Sequence, residues 1–398
     1  MRVSLNPVRR TLPGTTGAAV ARALLDEDGP FAILGDTKCG LALAEPIVPS
    51  ATSLFGPRGV AFERSTGPLF VSDTGHHRLL IWNSLPREDG VRADILIGQP
   101  DFSYEGRNAK GPISPATLNV PTGVAISGGV LAVADAWNHR VLIWFSPPKR
   151  DNQPADVVLG QADFASGLAN RGSDVARADT LNWCYGVTIA NGALYVSDTG
   201  NRRVLKWHRI PEKCGAPADV VLGQRDFDTR DENAGHAADA ESMRWPHAVL
   251  ITDTYIAVAD AGNNRIMVWS GEPRSNGAPC DFVIGQRDFT GVDHNQAAYY
   301  PNAQALNMPY GLAQISDQLA TADTANSRIV GYDLRGLEFN GPATTLSGQP
   351  TFADKGDNRW GVPKRDSLCW PYGLAAAGNT LAIADSGNNR ILLWEAAP

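Results

Sequence analysis

The chain has 398 residues, of which 43% are hydrophobic and 19% charged, with 40 glycines and 27 prolines. This composition is typical of a globular, turn-rich protein and excludes a disordered or fibrous one. The net charge of −7 argues against nucleic acid and anionic membranes as general partners. The sequence contains no apolar run of about 18 residues, so it predicts no membrane span.

The first predicted element is an N-terminal tail, residues 1–30, with room for a short helix. The tail lacks the apolar stretch of a secretory signal. The five cysteines have no regular spacing, so we expect reduced thiols in a cytoplasmic protein. A short apolar strand at residues 31–35 follows. We expect residues 1–28 to be dispensable for the folding of the rest.

From residue 54 onward the chain consists of six similar units. Each unit has an inner strand at a Pro-x-Gly motif, a second strand ending at aspartate, a hairpin, a third strand and a fourth strand before Gly-Gln. The aspartates recur every 62 or 63 residues, at Asp73, Asp135, Asp198, Asp260, Asp323 and Asp385. No helical run of about 10–15 residues lies between them, which excludes alternating strands and helices.

Six units of four short strands predict an all-β fold, a six-bladed β-propeller with four antiparallel strands per blade. We expect this single domain to cover residues 31–398. The last unit stops after its third strand, whereas residues 31–35 resemble a fourth strand without a unit of its own. The N-terminal strand is therefore expected to complete the C-terminal blade and close the ring without an exposed edge.

Two repeated polar features are interpreted as structural, because a functional site needs only one copy. In the hairpin motif Asp-x-x-Asn-x-Arg, we expect aspartate to cap the turn, asparagine to take an unusual backbone angle, and arginine to pair at the blade interface. Five units carry an insertion after Gly-Gln, with an asparagine six residues after a phenylalanine. We expect this phenylalanine to pack between blades and the asparagine to hold a turn. The insertions should enlarge the face that carries the hairpins.

The pattern Pro-x-Gly-Val, then Leu-x-Val-Ala-Asp-x-x-Asn-x-Arg-Val, resembles the NHL repeat, and the resemblance covers residues 31–398. The units are longer than the usual ~40–45 residues of a blade of this general kind. The resemblance implies a β-propeller. Members of the family bind RNA or proteins, and wider relatives include lactonases, the amidating lyase of peptide hormones and strictosidine-synthase-like enzymes. Function must therefore be argued from the site.

The candidate site consists of positions at which the six copies disagree. These are the residue between Pro and Gly and the residue two positions earlier, both expected at the mouth of the central channel. Arg58 is the one permanent cation at the first position, and His247 the one residue there whose ordinary pKa is near neutral. The predicted ligand-binding residues are Arg58, Thr122, Trp183, Tyr185, Trp245, His247, Met308, Tyr310, Trp370 and Tyr372. They form either a pocket for a planar or anionic group or a plug in the channel.

Three functions stay open at this point. We favour a non-catalytic scaffold or assembly factor that binds a protein partner or a small ligand through the enlarged face and the mouth. The alternative is an enzyme of the lactonase or lyase type, with Arg58, His247 and the tyrosines stabilising charge and transferring protons. The third is an RNA-binding module, which the net charge disfavours. No cofactor is predicted, and no metal site, because His77 and His139 share one repeat position while His247 lies at another.

Overall fold

The computed structural model describes residues 21–35 and 47–398. It contains six sheets, each with four antiparallel strands; one sheet has a fifth, parallel strand, and another takes one of its four strands from the N-terminal segment. Neighbouring inner strands contact one another around a central channel. This arrangement confirms the predicted six-bladed propeller. We number the blades 1 to 6 in the chain order of their inner strands.

The strands have equivalent bounds in all six blades. The inner strands are Gly59–Phe62, Pro121–Ser127, Cys184–Ala190, Pro246–Ile251, Pro309–Ile315 and Pro371–Ala377. The second strands are Leu69–Asp73, Val130–Asp135, Ala193–Asp198, Ile256–Asp260, Gln318–Asp323 and Thr380–Asp385. The third strands are Arg78–Trp82, Arg140–Trp144, Arg203–Trp207, Arg265–Trp269, Arg328–Asp333 and Arg390–Glu395. The outer strands are Ile95–Ile97, Val157–Leu159, Val220–Leu222, Phe282–Ile284, Thr345–Ser347 and, in blade 6, Ala32–Leu34.

The helices in the described part of the chain are single 3-10 turns of three or four residues. Six connect the second and third strands, at Thr74–His76, Ala136–Asn138, Thr199–Asn201, Ala261–Asn263, Thr324–Asn326 and Ser386–Asn388. Five lie in the insertions, at Arg107–Lys110, Ala169–Gly172, Glu232–Gly235, His294–Ala297 and Asp357–Trp360. A further turn follows the third strand of blade 5, at Leu334–Gly336.

The ring is closed by the N-terminal strand, as the sequence predicts. Ala32–Leu34 pairs antiparallel with the third strand of blade 6, with Leu34 opposite Ile391 and Ala32 opposite Leu393. Six hydrophobic clusters then fill the spaces between neighbouring blades, one for each pair, including the pair formed by blades 6 and 1. Because every blade buries both faces, no blade is left with an open apolar side.

The residues just before this strand also belong to the folded ring. A two-residue strand, Arg22–Ala23, pairs in parallel with the outer strand of blade 5. Leu24 and Leu25 are buried between blades 5 and 6, and the indole N–H of Trp394 donates to the carbonyl of Asp26. The expectation that residues 1–28 are dispensable therefore conflicts with the structure. Residues 21–30 contain no helix, and residues 1–20 lie outside the described part.

The hairpin motif forms a buried network at the end of each blade, shown here for blade 3. Asp198 accepts hydrogen bonds from Arg203 Nε at 2.8 Å and Asn201 Nδ2 at 2.7 Å. Its other oxygen accepts the backbone N–H of Asn182 at 2.7 Å. The aspartate thus holds the segment before the inner strand and does not cap the turn, which corrects the prediction. A second prediction is wrong as well: the left-handed backbone angle is found not at the asparagine but at the next residue, Arg202, with φ 56°.

The insertions lie against these hairpins. Asn170, in the insertion before blade 3, has φ 49° and exchanges two amide hydrogen bonds with Asn201 of the hairpin, at 3.0 and 2.8 Å. The equivalent pair recurs at blades 2, 4, 5 and 6. The recurring phenylalanine is partly buried against the cluster between blades, as Phe227 shows. The predictions that the asparagine holds a turn and that the insertions enlarge the hairpin face are confirmed.

Candidate ligand-binding mouth

The rim of the channel mouth is set by the residue just before each inner strand. Trp183 and Trp370 have the left-handed φ values of 46° and 51°, a conformation that bulky residues rarely adopt. This conformation is stabilised by a side chain from the hairpin of the preceding blade, which accepts the backbone N–H of the tryptophan. His139 Nδ1 accepts from Trp183 at 3.0 Å, and Ser327 Oγ accepts from Trp370 at 3.3 Å. Sequence repetition thus fixes where these indoles project.

Two histidines that invited comparison with a metal site have this structural role. His139 accepts from Trp183, and His77 Nδ1 accepts the backbone N–H of Val120 at 3.0 Å. A ring nitrogen that accepts a hydrogen bond must be unprotonated. Burial lowers the pKa of both histidines to about 4, with the charge of Arg107 contributing at His77. Both imidazoles are therefore neutral backbone acceptors near neutral pH.

Blade 4 departs from this pattern. In the other hairpins, the residue after the 3-10 turn accepts the backbone N–H of the next blade. In blade 3 this residue is Arg202, and a guanidinium can only donate. Trp245 consequently lacks the left-handed backbone, and its backbone N–H donates to Asp260 Oδ1 at 3.2 Å. The six-fold pattern of the mouth is broken at this point, and both Arg202 and Trp245 face the cavity.

The floor of the mouth is a stack of four rings across the channel. The ring of His247 lies 5.3 Å from that of Tyr185 and 4.2 Å from that of Tyr310, both nearly parallel to it. The rings of Tyr310 and Tyr372 are 4.3 Å apart, and the guanidinium carbon of Arg58 lies 5.0 Å from the centre of the Tyr372 ring. His247 Nδ1 donates to the carbonyl of Trp245 at 2.9 Å. These contacts fix the rings in place before any ligand binds.

An open cavity of about 870 Å³ lies above this floor. Its rim is formed by Trp183, Trp245, Trp370 and Phe55, which are between 40% and 49% exposed. Such a volume falls in the range of ~300–1,000 Å³ that holds small ligands. The two alternatives from the sequence are thus both present: the inner rings plug the channel, and the outer rings surround a pocket.

The cavity contains eight of the ten predicted residues: Arg58, Trp183, Tyr185, Trp245, His247, Tyr310, Trp370 and Tyr372. Thr122 is buried and donates to the carbonyl of Cys184. Met308 lies outside the lining, with its sulfur 4.0 Å from the Tyr310 hydroxyl. The sequence analysis missed Phe55 and Arg202. Arg202 could have been found, because it is the one arginine at its repeat position.

The floor is poorly suited to proton transfer near neutral pH. Burial, with a contribution from the charge of Arg58, lowers the pKa of His247 to about 4. Burial raises the pKa of Tyr310 to about 12 and moves that of Tyr372 well above its ordinary value. General acid–base groups work best when their pKa is near the working pH. His247 is therefore not the neutral-pH titrating group that its residue type suggests.

Comparison with known proteins identifies the family. The sequence profile of the NHL repeat matches residues 118–144. Human NHL repeat-containing protein 2 is 34% identical over 388 residues, which cover 90% of this chain and 49% of the human protein. The bovine protein of the same name is 32% identical over 395 residues, 89% of this chain and 48% of that protein. The chain is an NHL-repeat β-propeller. This NHL propeller spans about half the length of the curated relatives it matches.

A solved structure supports the fold of the NHL propeller. Kuenenia stuttgartiensis hydrazine synthase aligns over 90% of this chain and 99% of its own, with a TM-score of 0.50 and 12% identity. At that identity the likeness concerns the fold alone. None of the helices within residues 21–35 and 47–398 has the length and apolar character needed to cross a membrane.

Proposed function

We propose that this NHL propeller is a non-catalytic recognition module, a scaffold that binds a partner or small ligand at its mouth. The observation that carries the proposal is the open cavity of about 870 Å³ between exposed indoles and a fixed aromatic floor. Exposed tryptophans around a preformed cavity are typical of binding sites, where a few such residues contribute most of the binding free energy. The pKa values of His247 and Tyr310 lie far from neutrality, which favours recognition over acid–base catalysis.

The proposal is tested by altering the mouth in two opposite ways. Trp245→Ala removes an indole from the rim. Gly56→Trp adds one, because a Cβ atom at Gly56 would meet nothing within 4 Å. The backbone there, with φ 53°, is the one that Trp370 already adopts. We expect both variants to keep their melting temperature within a few degrees and to lose the partners that the unaltered protein captures from a lysate of its native host.

Trp360→Ala is the matched control. Trp360 is 75% exposed, lies in an insertion of the same face, and is outside the cavity lining. Its removal should leave capture unchanged. If Trp360→Ala abolishes capture while both mouth variants retain it, the contact surface is the outer loops and the proposed mouth site is wrong.

A further inference from the structure

We infer that the mouth binds a carboxylate attached to a flat apolar group, with Arg58 and Arg202 as the residues that contact the anion. This inference rests on the proposed recognition function and adds the chemical class of the ligand. The described residues that line the cavity include these two arginines and neither aspartate nor glutamate. The mouth of a chain with a net charge of −7 is thus locally positive.

Arg58 is oriented for an anion. Its guanidinium carbon lies over the ring of Tyr372, 5.0 Å from the ring centre, and cation–π attraction holds the group there. Within the described part of the chain it has no ion pair with a carboxylate, unlike the six buried arginines of the hairpin motifs. Stacking uses the face of a guanidinium and leaves its N–H edge available for an oxygen ligand.

Arg202 has one N–H group, at Nε, that makes no hydrogen bond to the described residues. Its Nη1 donates to the carbonyl of Gly200 at 2.6 Å. Its Nε is buried and has no hydrogen-bond partner among the described residues. A buried donor without an acceptor is destabilising. Because Arg202 lines the cavity, a rotation of its side chain that brings Nε to a ligand oxygen would be favourable. Arg202 is also the residue that breaks the acceptor pattern of the hairpins, where it takes the place held by Asn264 in the next blade.

The remaining lining selects the body of the ligand and the type of anion. Three indoles, the Phe55 ring and the tyrosine floor present flat apolar surfaces, against which a planar group stacks favourably. A carboxylate has two oxygens, which can pair with the two N–H groups on one guanidinium edge or connect two guanidinium groups. A tetrahedral phosphate lacks this planar match and needs donors for a third oxygen as well. The chemistry therefore favours an aromatic carboxylate, supplied either by a free acid or by the C-terminal residue of a partner.

The experiment uses two probe pairs measured by isothermal titration calorimetry on the full chain. The free-acid pair is 2-naphthoate and 2-naphthamide; the chain-end pair is the peptide Gly-Gly-Phe with a free or an amidated C-terminus. We expect the carboxylate of at least one pair to bind about tenfold or more tighter than its amide, as loss of a charged hydrogen bond implies. Arg58→Gln and Arg202→Gln should each remove this preference, and inorganic phosphate should not compete.

The controls separate the possible failures. Trp360→Ala should leave the carboxylate preference unchanged, and Trp245→Ala should weaken both members of a pair. Thermal melts show whether the glutamine variants fold, and a folded variant that keeps the full preference overturns the assignment of its arginine. If no carboxylate is preferred while host partners are still lost on Trp245→Ala, the ligand class is wrong and the recognition function stands. If the mouth variants change neither the carboxylate preference nor the capture of host partners, both the ligand class and the recognition function are wrong.

Discussion

Replacing Asp198 with alanine should test the buried hairpin network that supports the mouth. The carboxylate accepts two side-chain donors and one backbone donor, and its side chain is fully buried. Its partner Arg203 is equally buried, and its guanidinium also donates to the carbonyls of Arg177 and Thr180. Those carbonyls are neutral, so they would hold the guanidinium in place without balancing its charge.

The expected loss of stability follows from the charge that is left behind. Removing one partner of a buried pair costs about 3–5 kcal/mol, because the other charge stays buried and unpaired. Loss of a turn cap alone would cost only about 1 kcal/mol. The two values separate the network seen in the structure from the turn-cap role that the sequence suggests. Asp198→Asn, which keeps an oxygen for Asn182, should lie between the unaltered protein and Asp198→Ala.

The measurement is equilibrium unfolding in urea, with the midpoint and slope compared between variants. Asp317→Ala is the control, because it removes an acid whose partner Arg335 is 72% exposed, and exposed pairs contribute little. A loss below about 1.5 kcal/mol for Asp198→Ala, at unchanged slope, would refute the argument that this pair is a buried charge network.

The remaining expectations concern pH and the N-terminal strands. Since the pKa of His77 and His139 is about 4 in the folded chain against an ordinary 6.5, the unfolded chain binds protons first, and stability should fall as the pH drops from 6.5 to 4. The double variant His77→Asn and His139→Asn should keep the melting temperature at pH 7, because the asparagine side-chain oxygen can accept the same backbone N–H. It should lose less stability between pH 6.5 and 4 than the unaltered protein, and an equal loss would contradict the role of these two histidines. Deleting residues 1–28 removes buried Leu24 and Leu25 and should cost about 2–5 kcal/mol for each leucine by urea unfolding. A truncated chain of full stability would contradict a stabilising role for these two leucines and for the pairing of Arg22–Ala23 with blade 5.

Much of the fold could be predicted from the sequence, because the repeat reports the same local structure six times. The strand order, the blade number and the closing strand at residues 31–35 all follow from the register of the copies. The N-terminal strand Arg22–Ala23 could not be predicted, because it has no counterpart in the repeat and only two residues pair. Its burial depends on where the ring brings the edge of blade 5, and a local sequence pattern does not contain that information.

The candidate site was predicted only in outline. Disagreement between copies selected ten residues, of which eight line one cavity; whether they bind a ligand stays a prediction. The division into floor and rim was not predictable, since the stacking of His247 on Tyr185 and Tyr310 joins three blades. The pKa of His247 likewise depends on burial by those rings. Sequence gives residue types at a position, whereas ring packing and titration depend on neighbours that are distant along the chain.

The closing strand has a consequence for synthesis on the ribosome. Ala32–Leu34 precedes all six inner strands in the chain, yet its partner, Arg390–Glu395, follows them. The strand is thus translated before all six inner strands, and it cannot pair until more than five blades have been translated. During that interval both ends of the growing ring expose strand edges, which are the usual sites of aggregation. Closure is therefore the last step in the assembly of the ring, and slow emergence of the third strand of blade 6 should increase the dependence of this protein on chaperones.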